Sequence, residues 1–438
     1  MTHPNSASRG QLGRAVLSSY LGSMIEYYDF TLYAAASAVV FNKVFFTSLD
    51  PLAGTVASLG TFATGYFARP LGGILFGHFG DRLGRKRMLV LSMTMMGLSS
   101  TLIGVLPTSA RIGAWAPVLL VLMRVIQGVA VGGEWGGAVL MSVEHARSRR
   151  GLWASFTNAG APSGIVVSTV LMAVSAGATG ERAFLSWGWR IPFLASVLLL
   201  AIGLIVRSRV AETPVFAEAA DAKPAPAPLL EVLRHHPRRL LLAIGIALGT
   251  YVGQTTLTTY VISYAIHAGF PRQTVLNALT AASVVAVAGI IGFSALSDRF
   301  GRRPLIIAGA AGMAIWAFVL FPLIDSRSAF QLTVAVVVGL GIVCACMSGP
   351  LAALFPELFP TRVRYTGASL AYQIAGIGGG VAPVVFASMI AGGGGTLPIS
   401  IIIGAGCVLT MGCVFALRET SKSDLGEPAK VSEVAARI

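Results

Sequence analysis

Long apolar runs dominate the chain, and short polar stretches separate them at regular intervals. A helix crossing a bilayer needs about 20 apolar residues, and about twelve runs reach that length. The first two fall at 15–40 and 54–76, and the last two at 365–390 and 397–417. The pattern predicts an all-α polytopic membrane protein with twelve transmembrane helices.

Two of the polar interruptions are copies of each other. FGHFGDRLGRKR, from Phe76 to Arg87, follows the second run, and FSALSDRFGRRP, from Phe293 to Pro304, follows the eighth. A repeat at that distance divides the chain in half. Each copy reads as a tight, charged turn between two membrane helices. Gly84 and Gly301 permit a sharp reversal at positive φ. Arg82, Arg85, Lys86 and Arg87, with Arg299, Arg302 and Arg303 in the second copy, hold the turn on the cytoplasmic side. Asp81 and Asp298 are lone acids among these bases, and such an acid invites a specific partner, for example the positive N-terminal end of a neighbouring helix.

A second echo supports the halving: Glu144 precedes Arg147, Arg149, Arg150 and Gly151, while Glu357 precedes Arg362, Arg364 and Gly367. The expected organisation is an N-terminal six-helix bundle over 1–206, a cytoplasmic linker over 207–239, a C-terminal six-helix bundle over 240–417 and a cytoplasmic tail over 418–438. Both ends then lie in the cytoplasm, and a cavity lies between the bundles. Within the linker, an Ala-Pro run is an extended spacer, and Glu218, Glu231, Arg234 and Arg238 suggest short amphipathic helices on the inner surface.

Composition agrees with this class: of 438 residues, 55% are hydrophobic and only 11% charged. The net charge of +14 raises the possibility of nucleic acid, but position removes it. About 24 of the Lys and Arg fall in the tails and the even-to-odd loops, against about six in the opposite loops. The basicity is topological, and no nucleic-acid partner is expected. Cys344, Cys346, Cys407 and Cys413 lie in apolar runs and read as small core residues. The N-terminus has no short apolar region with a cleavage site, so no removable signal peptide is expected.

Ionisable side chains at bilayer depth cost several kcal/mol and point to function. They are Glu26 and Asp29 in the first run, Arg69 in the second, and Arg124 and Glu134 in the fourth. All lie in the N-terminal half. Glu26, Asp29 and Tyr33 share one helix face by spacing, and two acids on one low-dielectric face cannot easily both ionise. A proton carrier needs that property. An ion pair of one acid with Arg69 or Arg124 is the structural alternative. A mid-membrane guanidinium such as Arg69 must find a carboxylate of the protein or of a substrate. Gly128, Gly132 and Gly136 follow Arg124 at four-residue intervals and form a small-residue seam for another helix. Glu134 lies too far down its helix to pair with Arg124, and either relays a proton or pairs with a loop base. Arg190, beside Trp187 and Trp189, is either an interfacial anchor or an entrance for anions. The C-terminal half offers Tyr251, Gln254, Thr255, Thr258 and Tyr260 in the seventh run, with Tyr372 and Gln373 in the eleventh.

The duplicated turn, with its Gly77 and Asp-Arg-x-Gly-Arg-Lys, resembles the signature of the major facilitator superfamily. Arg124, Gln127 and Gly128 match that superfamily's fourth-span pattern. EYYDF, ARPLGGILFGHFGDRLGRKRM, RVIQGVAVGGEWGG and SWGWRIPF resemble one branch, the metabolite:proton symporters, and most of all its shikimate-permease subgroup. The resemblance implies proton-coupled uptake of a small organic anion such as shikimate, α-ketoglutarate or a related carboxylate by alternating access, in a multi-pass inner-membrane protein that functions as a monomer. It implies that Asp81 faces the start of the eleventh span and Asp298 that of the fifth, with Arg85 paired to Glu144 and Arg302 to Glu357. These contacts, with Arg364, form a conformational gate. Proton coupling is expected at Asp29, Glu26 or Glu134. Substrate contacts are expected at Arg69, Arg124, Arg190, Tyr33, Tyr251, Gln254, Tyr372 and Gln373.

Other readings carry less. Every His falls in a tail or loop, and no His, Cys and acid cluster is placed for a metal or a nucleophile, so neither an enzyme nor a cofactor is expected. A non-transporting sensor would be expected to add a signalling domain. An osmolyte symporter of the proline/betaine type would carry a C-terminal coiled coil, and RETSKSDLGEPAKVSEVAARI is short and poor in heptads. Export or antiport by the same fold stays open, because direction follows gradients.

Overall fold

The computed structural model describes residues 9–49, 51–146, 148–210, 228–391 and 393–422. Arg147, Glu218, the Ala-Pro run and the end of the tail lie outside the described residues. Twelve long helices follow one another: α1 (Arg9–Ala36), α2 (Pro51–Leu83), α3 (Arg85–Val105), α4 (Trp115–His145), α5 (Arg150–Ala183), α6 (Arg190–Ser208), α7 (Pro237–His267), α8 (Arg272–Phe300), α9 (Arg302–Asp325), α10 (Ala329–Leu358), α11 (Arg364–Ala391) and α12 (Leu397–Phe415). Among the described residues there is no strand. Ten of the helices are long and apolar enough to cross a membrane, while α1 and α2 have the length, at 28 and 33 residues. The acids and bases of α1 dilute its hydropathy. A short helix, Pro228–His235, precedes α7, and its Glu231 pairs with the exposed Arg362 at 2.6 Å.

The signature stretch is less of a turn than its composition suggests. α2 continues through Asp81 to Leu83, Gly84 alone breaks the helix at φ 103°, and α3 starts at Arg85. The second copy repeats this with Gly301 at φ 99°. Gly77, Gly80 and Asp81 stay helical despite weak propensity, and the reversal falls on Gly84 and Gly301, whose positive φ a residue with a Cβ rarely adopts. Asp81 and Asp298 therefore sit on the last turn of a helix and project from rigid backbone.

Within the N-terminal bundle α1 packs on α5, α2 on α4, and α3 on α4 and α6. In the C-terminal bundle α7 packs on α11 and α12, α8 on α10, and α9 on α12. Across the seam α2 lies against α11 and α5 against α8. The glycine seam of α4 serves two neighbours. A Cβ on Gly128 would stand 2.3 Å from the Gly65 carbonyl oxygen and one on Gly132 2.0 Å from that of Arg69, whereas one on Gly136 would meet Ser369 Oγ of the opposite bundle at 1.9 Å. Backbones meet there with nothing between them, the arrangement that small residues allow in membranes. On the inner side one apolar core joins the bundles, with Trp135, Val139 and Val143 of α4 beside Phe355 and Leu358 of α10 and Ala371 of α11. α1 and α7, the first helix of each bundle, widen into a π-turn near the outer end, at Ser37–Phe41 and Thr256–Tyr260.

Candidate functional site: buried charges and the central clefts

α1 carries both membrane acids into the interior of the N-terminal bundle, where Asp29 is 1% and Glu26 3% exposed. They do not face each other. Three residues of helix leave two side chains about 60° apart around the axis, enough to meet different neighbours. Asp29 accepts a hydrogen bond from Ser196 Oγ of α6 at 2.8 Å, and its second oxygen has no partner. Glu26 lies 3.9 Å from Arg69 Nη2 of α2, and its other oxygen is likewise without a partner. Tyr33, expected at the substrate, is fully buried and donates to Thr61 Oγ1 at 2.6 Å.

The two arginines are packed among rings. Arg124 lies over Phe30 at 3.8 Å and Tyr33 at 4.3 Å, and Arg69 over Phe30 at 4.1 Å and Tyr66 at 4.3 Å. Among the described residues Arg124 donates from Nη1 to Gln127 Oε1 at 3.3 Å, and its Nε and Nη2 are unmatched. Glu134 is different. Arg207 grips it with both terminal nitrogens, and Ser92 Oγ donates to it at 2.9 Å. Both oxygens of Glu134 are thus already held by a base of the protein, which argues against it as a proton carrier. Its partner lies at the inner end of α6, at a position the sequence reading gave to the linker.

Two adjoining clefts lie between the bundles. Tyr27, Trp135, Asn158, Tyr251, Gln254 and Tyr372 line the first. Phe30, Phe62, Tyr66 and Thr258 line the second, which shares Tyr27, Tyr251 and Gln254. Among the described residues no charged side chain lines either one. Of the residues expected at the substrate, Tyr251, Gln254 and Tyr372 line these clefts, and Arg69, Arg124, Tyr33, Arg190 and Gln373 are not among their lining residues. Arg190 Nη1 donates to the carbonyls of Gly104 and Leu106, both at 2.8 Å, and ties the start of α6 to the end of α3. Gln373 spans the seam and donates to Val131 O at 3.4 Å and Gly132 O at 3.3 Å. The sequence reading missed Trp135, whose indole stacks on Tyr372 at 3.6 Å and donates to Asn158 Oδ1 at 2.9 Å. Its only signal was a ring set among glycines in GGEWGG.

Beneath the clefts the inner side is fastened twice, each time by an acid at the end of a helix. Asp81 accepts from the backbone N–H of Thr366 at 3.1 Å and from its hydroxyl at 2.8 Å, at the start of α11. Asp298 accepts from the N–H groups of Gly151 at 2.8 Å and Leu152 at 2.9 Å, at the start of α5. Both are helix N-termini offering unmatched donors. Arg85 pairs with Glu144, which also receives Arg364 Nη1 from the opposite bundle at 3.2 Å. Arg302 pairs with Asp298 at 2.8 Å and with Glu357 at 3.3 Å. Gly77 lets α2 close on α11, since a Cβ there would lie 2.8 Å from Thr366 Cα. Arg82 and Arg299 are exposed.

The duplication extends to the whole-chain pattern. The profile of the Major Facilitator Superfamily matches residues 19–383 and, separately, 277–436. The chain belongs to the major facilitator superfamily. This superfamily member is 38% identical over 420 residues to the shikimate transporter of Escherichia coli strain K12, covering 94% of this chain and 95% of that one. It is 34% identical over 395 residues to the proline/betaine transporter of Salmonella typhimurium strain LT2, covering 87% and 78%. A structure of the proton:xylose symporter XylE bound to 6-bromo-6-deoxy-D-glucose shares the fold, with a TM-score of 0.75 at 19% identity over 95% of this chain and 98% of that one. The protein is a multi-pass membrane transporter of the superfamily and not an enzyme.

Proposed function

We propose that this transporter is a proton-coupled symporter that imports a small organic acid, such as shikimate, α-ketoglutarate or a related carboxylate, across an inner membrane by alternating access, with both ends cytoplasmic and the monomer as working unit. The carrying observation is the pair of half-matched carboxylates, Asp29 and Glu26, buried beside two arginines that are also only partly matched, with Arg69 Nε, Arg124 Nε and Arg124 Nη2 left over. Such a set is unstable as four fixed charges and becomes satisfied when one acid takes a proton and a carboxylate joins the arginines. Tyr251, Gln254 and Tyr372 supply hydroxyl and amide groups for the rest of the molecule. The Asp81 and Asp298 contacts hold the inner side shut until both ligands are bound. In proteoliposomes, radiolabelled shikimate should accumulate against its gradient when the lumen is made alkaline. Uptake indifferent to the imposed pH gradient would sink the proton-coupled reading.

One observation favours a second reading. The clefts are uncharged and rich in rings, which suits a quaternary ammonium as well as an acid. Competition decides between them: glycine betaine displacing shikimate at equal concentration would move the assignment to osmolytes.

A further inference from the structure

Among the described residues, Phe30 stacks on both arginines and also lines the second cleft. Its ring lies 4.1 Å from the Arg69 guanidinium carbon and 3.8 Å from that of Arg124, and it also lines the cleft. Phe62 and Tyr66 meet it edge-to-face at 5.9 and 5.4 Å and complete an aromatic wall. Behind that wall Arg69 is 2% and Arg124 0% exposed, and Arg69 Nε, Arg124 Nε and Arg124 Nη2 have no hydrogen-bond partner among the described residues. Donors left unmatched at that depth are costly unless something arrives to use them. The cleft side of the wall holds no charge, so an anion in the cleft has no ionic partner while the ring stays in place.

We propose that Phe30 is a shutter: its ring covers the two guanidiniums with cation–π contacts, and a carboxylate reaches Arg69 and Arg124 only when the ring turns aside. This rests on the organic-acid reading for the identity of the anion, but not for the motion. Phe30 is a positioning residue on this account, since it governs which ligand group meets the arginines and makes no bond to it. The device also selects. A neutral or cationic ligand gains nothing from opening the shutter and loses two cation–π contacts, whereas a carboxylate replaces them with charge-assisted hydrogen bonds.

The test is site-resolved arginine modification of the full-length protein in detergent with p-hydroxyphenylglyoxal, read by peptide mass spectrometry. In the parent chain Arg69 and Arg124 should react slowly. In Phe30→Ala they should react on the order of tenfold faster, the effect of removing a desolvated ring from a cation, while buried Arg85 and Arg302 keep their rates. If Phe30→Ala speeds all four, Phe30→Leu decides, because leucine fills the space without covering two cations. Unchanged rates at Arg69 and Arg124 in the variant that keeps Arg85 protected would overturn the shutter. Shikimate, α-ketoglutarate and citrate are then added, each beside its methyl ester. Protection of the opened arginines by an acid but not by its ester supports both readings. Opening without protection by any of the three keeps the shutter and removes the organic-acid reading, and equal protection by acid and ester makes Phe30 an ordinary wall residue and overturns the proposal.

Discussion

Asp29 and Asp81 are both acids on rigid helix, and their surroundings assign them different work. Asp29 is buried, with the Ser196 hydroxyl as its donor, the Ser100 hydroxyl close by and no hydrogen-bond partner on its second oxygen, so neutralising it removes a charge and little structure. Asp29→Asn should abolish proton-driven accumulation while exchange of labelled for unlabelled substrate continues, measured side by side in proteoliposomes. Accumulation that survives moves the coupling to Glu26. Asp81 instead accepts two hydrogen bonds from Thr366 across the bundle seam. Asp81→Asn should slow the transport cycle several-fold and leave substrate affinity near that of the parent, because the contact biases one conformation and lies far from the clefts. At this scale the sequence spoke unevenly. Depth and spacing were enough to single out Glu26, Asp29, Arg69 and Arg124. The partner of Glu134 was not readable, since Arg207 stands 73 positions away and only the packing of both α4 and α6 on α3 brings them together. Arg190 misled for a related reason: an aromatic-flanked base at a membrane boundary looks the same whether it meets an anion or two carbonyls.

Among the helices, α2 and α4 show how far backbone contact governs placement. A Cβ on Gly132 would overlap the Arg69 carbonyl oxygen, whereas one on Gly60, also in α2, would meet nothing within 4 Å. Gly132→Ala should therefore lower the thermal midpoint in detergent, with a cost of about 1–3 kcal/mol or more from overpacking, and displace Arg69. Gly60→Ala should be neutral or stabilising by up to about 1 kcal/mol. The start of α9 offers a pH test outside the membrane. Glu419, just past α12, accepts from the N–H groups of Arg302 at 2.8 Å and Arg303 at 3.1 Å. Burial alone would raise its carboxyl, but the N–H groups of Arg302, Arg303, Ser421 and Thr420 outweigh it and hold the group below the ordinary value of 4.5. A lowered value in the folded state means that the contact stabilises fully above 4.5 and fades as pH falls through the lower folded value. Protection of the Arg302 and Arg303 amides, taken as exchange relative to the intrinsic rate at each pH, should fall over that acid range in the parent chain, and Glu419→Gln should remove that change. No pattern in the tail announced this cap, because a lone Glu after a membrane helix has no local partner to identify it.

In the whole molecule, the halving was legible because one motif appears twice, and the resemblance carried by that motif named the inner contacts pair by pair. What it could not convey was the character of the clefts. Their rings come from α1, α2, α4, α7 and α11 together, and helical periodicity tells which face is apolar without telling which faces converge. Each inner glutamate is held by charges of both bundles: Glu144 receives Arg85 of its own half and Arg364 of the other, while Glu357 receives Arg302 and Thr420 of its own half and feels Arg150 of the other. Arg364→Gln should therefore shift the population toward the inward-facing form, seen as faster labelling of a cysteine placed in the inner seam. Arg302→Gln, which removes an arginine from the same bundle as Glu357, should chiefly lower stability.

The indole of Trp135 lies flat on the Tyr372 ring, 7° from parallel, with one ring contributed by each bundle. Separation of the halves must unstack them and admit water to an excited-state dipole that is now shielded. The transporter thus contains a native fluorophore at its moving joint. Emission should redden and weaken each time the inner side opens, so turnover can be followed by light without any attached dye, and a Trp135→Phe chain should go dark to the same stimulus.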